Sequence, residues 1–260
     1  NKLFQLMLDK RMNYSCAYWK NASNLDEAQE AKLALICKKL KIKPGMTVLD
    51  IGCGWGSLAK YIAEKFQAKV TGITVSEKQV KLAREMCKGL DVEIRYQDYR
   101  DLAEEYDSIV SVGMFEHVGY KNYGEFFKVV SRCLKDNGLF LLHTIGGKRP
   151  AKSVNPWINK YIFPRGMLPA TSQVSSAYEK FFKLEDWHNF GTHYDKTLMS
   201  WYHNFNKNWD KIKNRYDERF RRMWNFYLLT CAGGFRSRQN QLWQIVLSKI
   251  NSPIEYESIR

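Results

Sequence analysis

One short segment constrains the fold of this chain more than any other. Thr47 to Ile51 is a run of strand-forming residues, and it leads directly into Gly52-Cys53-Gly54-Trp55-Gly56. Glycines let the backbone turn tightly and approach a ligand, because they lack a Cβ. Ser57 stands where the dinucleotide fingerprint G-x-G-x-x-G needs its third glycine. The pattern D-x-G-x-G-x-G, which begins at Asp50, therefore predicts a strand and a ligand-binding turn.

Strands and helices alternate along the first 150 residues. We predict strands at 47–51, 69–73, 92–96, 108–112 and 139–143, helices at 27–40, 58–66, 77–88 and 123–134, and a late strand at 242–248. Alternation of this kind predicts an α/β fold with a doubly wound, mostly parallel sheet that helices cover on both faces.

The pattern changes between about residues 147 and 236, where aromatic and basic residues dominate. Aromatic and aliphatic side chains recur there at helical spacing, for example at Leu198, Trp201, Tyr202 and Phe205. We predict a helical cap over the sheet, within a single domain that spans 1–260. Most of these aromatic residues are expected to form core, and the remainder to line a pocket.

Composition narrows the classes of partner. The net charge of +14 attracts polyanions, either nucleic acid or anionic lipid headgroups. No stretch approaches the roughly 20 apolar residues of a membrane-spanning helix. The six cysteines form no C-x-x-C pair and show no metal-ligand spacing, so we expect reduced thiols, no metal site and a cytoplasmic protein.

The turn resembles motif I of the class I S-adenosylmethionine-dependent methyltransferases. That resemblance implies that Asp50, Gly52, Gly54 and Gly56 cradle the amino-acid end of S-adenosylmethionine. Most enzymes of the class bind the ribose with an acid at the end of the second strand, but this strand ends with Thr74 and no acid.

Other residues near these strand ends suit the rest of the cofactor. Gln79 can replace the missing acid at the ribose, or can form a capping box with Ser76 at a helix start. Asp98 suits the adenine amino group, or else caps the next turn, and Tyr99 is available for stacking. We therefore expect Thr74, Gln79, Asp98 and Tyr99 to contact the cofactor.

Four further motifs carry a closer resemblance. They are Tyr14-Ser15-Cys16-Ala17-Tyr18-Trp19, Gly113-Met114-Phe115-Glu116-His117-Val118-Gly119, Leu142-His143-Thr144-Ile145-Gly146 and Trp157-Ile158-Asn159-Lys160-Tyr161-Ile162-Phe163-Pro164. Over nearly its whole length the chain resembles the bacterial cyclopropane-fatty-acyl-phospholipid synthases, with the mycobacterial enzymes that modify mycolic acids as relatives. The resemblance implies a seven-stranded sheet and methyl transfer from S-adenosylmethionine to cis double bonds of phospholipid acyl chains. A carbocation then loses a proton and closes to a cyclopropane.

The resemblance also implies a set of site residues. Bound bicarbonate is the implied base, and its ligands match Cys16, Glu116, His143, Ile145 (through its backbone) and Tyr194. Tyr14 and Ser15 match positions that contact the cofactor. Taken singly, such a cysteine or tyrosine is usually a packing residue. A cation in an apolar pocket needs aromatic faces, and Tyr18 or Trp19 are candidates.

The partners follow from the same resemblance. We expect a phospholipid bilayer surface and unsaturated acyl chains, peripheral association with the inner face of a bacterial membrane, and a homodimer as one option. The chain begins at Asn1, so we expect that an upstream portion is missing and that the family's N-terminal lipid-binding domain is absent.

Three rival functions remain for the same scaffold. Nucleic-acid methyltransferases that act on exocyclic amines usually carry an Asn/Asp-Pro-Pro-aromatic motif after the fourth strand. Residues 113–117 hold a different sequence here, so we expect no nucleic-acid substrate. A methyltransferase for other lipids, of the mycolate type, is the main alternative. A non-catalytic lipid-binding protein is the third, and the complete set of candidate bicarbonate ligands argues against it.

Overall fold

The computed structural model describes residues 2–151 and 155–260. The strands of the described residues are β1 (Thr47–Ile51), β2 (Lys69–Thr74), β3 (Val92–Tyr96), β4 (Tyr106–Val112), β5 (Leu134–Gly147), β6 (Phe182–Asn189) and β7 (Asn240–Lys249). The helices are α1 (Lys2–Met7), α2 (Leu25–Lys39), α3 (Ser57–Phe66), α4 (Glu77–Met86), α5 (Tyr123–Cys133), α6 (Pro156–Tyr161), α7 (Thr171–Tyr178), α8 (Thr192–Lys207) and α9 (Glu218–Arg236). Within these ranges, no helix is long and apolar enough to cross a bilayer.

The seven strands form one sheet in the order β3-β2-β1-β4-β5-β7-β6. Strands β1 to β5 pair in parallel, whereas β7 runs antiparallel to both β5 and β6. The direction of winding reverses between β1 and β4, and open sheets of this type bind ligands at the carboxyl ends of the strands beside such a point. The predicted doubly wound, mostly parallel, seven-stranded fold is confirmed.

Helices cover both faces of the sheet because its central strands are apolar on both sides. In β1, Val48 packs into a cluster with Leu33 of α2 and Leu58 of α3 on one face. The next residue, Leu49, points to the other face and joins a cluster that includes Phe126 of α5. Alternate residues of a strand face opposite sides, so a strand buried on both faces must be apolar throughout.

The structure corrects the predicted cap at one element. Strand β6 lies inside the 147–236 segment, where we predict only helices, and it forms the edge of the sheet beside β7. Its segment carries aromatic residues that recur at helical spacing, and these hide the strand signal. Residues 152–154 of the predicted cap lie outside the described residues.

Helices of the N-terminal and late segments pack together beside the carboxyl ends of the strands. Trp201 of α8 and Leu228 of α9 are fully buried in this third cluster, together with Met7 of α1. The indole N–H of Trp224 lies 3.2 Å from the sulfur of Met7, which ties α9 to α1. The cluster forms one wall of the cavity described next.

Candidate active site

A cavity of about 1330 Å³ lies at the carboxyl ends of the central strands. Fourteen of the fifteen predicted site residues line this cavity. They are Tyr14, Ser15, Cys16, Asp50, Gly52, Gly54, Thr74, Gln79, Asp98, Tyr99, Glu116, His143, Ile145 and Tyr194. The exception is Gly56. The residues predicted for the cofactor and those predicted for bicarbonate therefore share one site.

The glycine-rich turn has backbone angles that only glycine adopts without strain. Gly52, Gly54 and Gly56 all have positive φ, at +82°, +57° and +83°. A Cβ on Gly52 would lie 2.7 Å from the Cβ of Met114, whereas a Cβ on Gly54 meets nothing within 4 Å. Gly56 instead packs near Cys87, where a Cβ would come within 3.1 Å of its sulfur. Gly56 therefore serves the contact between α3 and α4 rather than the cavity wall.

The end of β2 holds Gln79 in a defined orientation. The Thr74 hydroxyl donates a hydrogen bond of 2.7 Å to the side-chain oxygen of Gln79. The side chain of Ser76 makes no capping hydrogen bond, so the alternative capping box is not formed. Because Thr74 occupies the carbonyl oxygen, the amide nitrogen of Gln79 remains available to a ligand.

Asp98 caps the short turn that follows β3, which is one of its two expected roles. Its carboxylate accepts the backbone N–H of Arg100 at 3.0 Å. The Arg100 guanidinium also donates to both carboxylate oxygens, at 2.9 and 2.8 Å, and this contact lowers the pKa of Asp98. Tyr99 packs edge-on against Phe126 and presents its other side to the cavity. The adenine contact stays a prediction.

Glu116 and Ile145 are joined directly. Glu116 lies in a turn after β4, and Ile145 lies near the end of β5. The backbone N–H of Ile145 donates to Glu116 Oε1 at 2.7 Å. Seven buried side-chain atoms of the described residues have no hydrogen-bond partner, and Glu116 Oε2 and His143 Nε2 are the two whose residues line the cavity. Buried polar atoms are rarely left unsatisfied, so this pair marks a place for a polar ligand.

Burial determines the charge states of these two groups. It raises the pKa of Glu116, and it lowers the pKa of His143 well below its usual value. The charges of Lys32 and Lys39 add to the effect on His143. The imidazole is therefore neutral near pH 7, and a neutral ring carries its proton on only one nitrogen.

Gln244 contacts the His143 ring, and it is not among the predicted site residues. Its strand β7 pairs with β5 so that Gln244 lies opposite His143. The side-chain nitrogen of Gln244 lies 3.3 Å from His143 Nδ1. If the amide nitrogen donates to Nδ1, the ring proton is on Nε2; if the amide oxygen takes that position, it accepts from a proton on Nδ1. Only the antiparallel register of a late strand brings Gln244 here.

Cys16 and Tyr194 complete the predicted bicarbonate set as neutral groups. Burial raises the pKa of the Cys16 thiol and of the Tyr194 phenol well above their usual values. Cys16 is fully buried, and its sulfur contacts the carbonyl of Ala17 at 3.3 Å. The Tyr194 ring packs 4.6 Å from that of Phe235. A neutral thiol is a poor nucleophile, so Cys16 is suited to contact a ligand rather than attack it.

The expectation for Tyr18 and Trp19 is wrong. Neither side chain lines the cavity. Tyr18 packs edge-on against Phe190, and the Trp19 indole N–H donates to the Thr197 hydroxyl at 2.9 Å. The aromatic residues on the cavity wall are Tyr14, Trp55, Tyr99, Phe163, Tyr194 and Phe235.

Two buried side chains of α2, absent from the predicted set, hold the loop that carries Tyr14, Ser15 and Cys16. Lys32 Nζ donates to Asn13 Oδ1 at 3.2 Å and to Ser15 Oγ at 3.1 Å. Gln29 donates to the Ser15 carbonyl at 2.9 Å. Burial lowers the pKa of Lys32 to about 8. A signal existed, because Lys32 falls on the apolar stripe of the predicted helix, where a lysine is unusual.

Lys32 also acts on the acid of the glycine motif. Burial raises the pKa of Asp50 to about 7, and the positive charge of Lys32 opposes this rise. Both side chains line the cavity. The ionisation of Asp50 near neutral pH therefore depends on Lys32.

The sheet order, the glycine turn after β1 and the cavity beside it define the class I methyltransferase fold. The family model of mycolic acid cyclopropane synthetase matches residues 1–245. The chain belongs to this family.

Comparisons with individual proteins agree with the family. The chain is 59% identical over 249 residues to the cyclopropane-fatty-acyl-phospholipid synthase of Escherichia coli K12, covering 96% of this chain and 65% of that protein. It thus spans less than two thirds of that relative. The structure of the cyclopropane synthase MmaA2 from Mycobacterium tuberculosis superimposes with a TM-score of 0.89 at 30% identity, over 96% of this chain and 94% of that one. The mycolic acid cyclopropane synthase CmaA1, complexed with SAH and CTAB, superimposes with a TM-score of 0.87 at 32% identity, over 95% of this chain and 93% of that one.

Proposed function

We propose that this chain transfers the methyl group of S-adenosylmethionine to cis double bonds of phospholipid acyl chains and forms cyclopropane fatty acids. The observation that carries the proposal is the pair of unsatisfied buried atoms, Glu116 Oε2 and His143 Nε2, in the same cavity as the glycine turn. The phospholipid acceptor rests on the 59% identity to the Escherichia coli synthase. We treat 1–260 as one catalytic domain.

The cofactor side of the cavity suits S-adenosylmethionine. CmaA1 was crystallised with SAH, the product of methyl transfer. In this chain Gly52 and Gly54 let the backbone approach the amino-acid end of the cofactor, and Asp50 lies directly before them. Gln79 offers an amide nitrogen for the ribose, and Asp98 offers a carboxylate for the adenine amino group.

The cavity also has apolar lining residues that suit an acyl chain. Its lining includes Ile158, Phe163, Met167, Leu168, Phe235 and Leu242. An alkene is a weak nucleophile, so alignment with the methyl donor and exclusion of water must supply much of the rate. Water would also capture a carbocation, and these side chains keep it away. The rings of Phe163 and Tyr194 in this lining can stabilise positive charge.

The residues present fit a bound bicarbonate. His143 Nε2 donates a hydrogen bond when it carries the ring proton, and Glu116 Oε2 accepts a hydrogen bond from a hydroxyl, or donates one when protonated. Cys16 and Tyr194 add neutral polar groups to the same cavity. When bound, bicarbonate supplies the base that the loss of a proton requires. Ile145 fixes Glu116 in place through its backbone N–H.

We also propose that the chain works at the surface of a bilayer on the cytoplasmic side. A net charge of +14 favours anionic headgroups. The proposed acceptor of this chain is a lipid. An acyl chain must leave the bilayer to reach a cavity at the ends of buried strands, which requires the protein to lie at the bilayer surface.

The direct test is transfer of labelled methyl from S-adenosylmethionine to phospholipid vesicles. We expect label in lipid with monounsaturated chains and none with fully saturated chains of the same headgroup. Removal of bicarbonate by degassing at constant pH should slow the reaction, and added bicarbonate should restore it. Label in saturated lipid, or in RNA but not in lipid, would contradict the proposed acceptor. A rate that does not depend on bicarbonate would contradict the proposed base but not the proposed methyl transfer.

A further inference from the structure

An exposed aromatic patch lies where α6 meets α9. The Trp157 ring packs edge-on against Phe226 at 4.7 Å and lies 5.4 Å from Tyr161. Phe226 is 53% exposed, Leu229 43% and Tyr161 39%. We call Trp157, Tyr161, Phe226 and Leu229 the aromatic patch. Single exposed apolar residues are common, but a contiguous group indicates a contact surface.

Two basic residues, Arg222 and Lys160, lie beside the aromatic patch. Arg222, Phe226 and Leu229 follow helical spacing, and all three are exposed, so they form one outward stripe of α9. Lys160 Nζ lies 5.1 Å from the centre of the Tyr161 ring. The one acidic residue of α9, Glu218, contacts Arg221 at 3.5 Å. The surface therefore offers positive charge beside an apolar centre.

The same two helices form part of the cavity wall. Ile158 of α6 and Cys231 of α9 line the cavity. Lys148 and Arg149, which are exposed, also border the cavity. An acyl chain that enters between α6 and α9 would pass the aromatic patch, while its anionic headgroup stays near basic residues.

We propose that the aromatic patch and the basic residues beside it dock this chain onto an anionic phospholipid bilayer, next to the point where acyl chains enter the cavity. Aromatic rings suit the boundary between headgroups and acyl chains, and basic residues suit anionic headgroups. Leu229 favours a bilayer over a nucleic acid, because a leucine cannot stack on bases. This inference rests on the proposed function for the nature of the acceptor.

Binding to vesicles tests the docking surface without any turnover. Leu229→Glu is compared with Leu184→Glu, a matched control because Leu184 lies on the edge strand β6 and is 47% exposed. On vesicles of phosphatidylglycerol and phosphatidylethanolamine at ~0.1 M salt, we expect Leu229→Glu and Phe226→Glu to weaken binding about tenfold. Leu184→Glu should bind like wild type. The proposal would be overturned if Leu229→Glu and Leu184→Glu weakened vesicle binding equally. It would also be overturned if neither Phe226→Glu nor Leu229→Glu weakened it.

A second comparison separates docking from catalysis. With phospholipid dispersed in detergent, the Leu229→Glu protein should methylate lipid at the wild-type rate, while it fails on vesicles. If Leu229→Glu lost methylation of both dispersed lipid and vesicles while it still bound S-adenosylmethionine, a docking role would be overturned. If wild type methylates no lipid but still binds vesicles through the aromatic patch, docking stands and the proposed reaction fails. Patch-dependent binding of RNA without binding of vesicles would replace the bilayer with nucleic acid.

Discussion

The backbone N–H of Ile145 donates a 2.7 Å hydrogen bond to Oε1 of Glu116. This bond joins the end of β5 to the turn after β4, across the carboxyl edge of the sheet. It uses one carboxylate oxygen for structure and leaves Oε2, buried and without a partner among the described residues, for a ligand.

Glu116→Gln should separate these two roles. The amide oxygen can keep the bond from Ile145, but the other atom becomes an NH₂ donor in place of an acceptor. We expect methyl transfer to fall by roughly 10²- to 10⁴-fold, the usual contribution of a group that serves proton transfer. Affinity for S-adenosylmethionine, measured by calorimetry, should stay near that of wild type. The exposed Glu125→Gln is the control. Because an amide NH₂ can replace the donor of a protonated carboxyl, near-normal turnover in Glu116→Gln would contradict Oε2 as an acceptor.

The glycine turn predicts a difference between two alanine variants. Gly52 and Gly45 have almost the same φ, +82° and +80°, but only Gly52 lies against another side chain, that of Met114. Gly45→Ala should lose about 1–2 kcal/mol of unfolding free energy from backbone strain. Gly52→Ala should lose more, because its Cβ would also lie 2.7 Å from the Cβ of Met114. Only Gly52→Ala should also lose affinity for S-adenosylmethionine, because Gly45 does not line the cavity. Equal affinities in calorimetry would show that the turn does not approach the cofactor.

Lys32→Met should shift the pH at which the cofactor binds. Burial raises the pKa of Asp50 to about 7, and Lys32 limits that rise. Without the lysine charge, the Asp50 pKa should rise further, so the ionised carboxylate appears only at higher pH. If binding needs ionised Asp50, the midpoint of S-adenosylmethionine affinity against pH moves upward. Lys38→Met, on the exposed side of α2, is the control. The same midpoint in both variants would contradict the link between Lys32 and Asp50.

His188 should make folding sensitive to mild acid. Burial, together with the charge of Lys39, lowers the pKa of His188 to about 3, whereas an unfolded histidine has a pKa near ~6.5. Between these two pKa values, His188 is protonated in the unfolded chain but not in the folded chain. The free energy of unfolding therefore decreases as the pH falls from ~6.5 toward about 3. The free energy of unfolding in urea should therefore fall more between pH 7 and pH 5 in wild type than in His188→Asn. The same substitution at exposed His203 is the matched control. Equal losses in wild type and His188→Asn would refute the assignment.

The sequence predicts the parallel part of the sheet well, because buried strands are continuously apolar. β1 and β3 have the predicted bounds, and β2, β4 and β5 extend them. Strand β6 escapes prediction because it lies in a segment whose aromatic residues recur at helical spacing, whereas β3, also an edge strand with charged residues, continues the regular alternation of strands and helices. The place of β6 in the sheet depends on pairing with β7, which sequence periodicity does not reveal.

Some residues of the site are likewise predicted from the sequence, whereas others reach it only through tertiary structure. Glu116 and His143 are predicted from the family resemblance, and their positions after β4 and in the carboxyl-terminal part of β5 agree with where parallel sheets place their ligands. Gln244 is not predicted, because its contact with His143 arises from antiparallel register across the sheet. Tyr18 and Trp19 share a motif with Cys16, but the direction of a side chain in a loop depends on its tertiary contacts, here with Phe190 and Thr197.

The most direct test of the proposed function is the mass of the lipid product. The chain is incubated with S-adenosylmethionine and monounsaturated phospholipid, and the fatty esters are separated by gas chromatography with mass detection. We predict esters heavier by one CH₂ that resist hydrogenation, because the double bond has become a ring. Products that carry a methyl branch or a hydroxyl instead, or no lipid product from a chain that binds S-adenosylmethionine, would contradict cyclopropane formation.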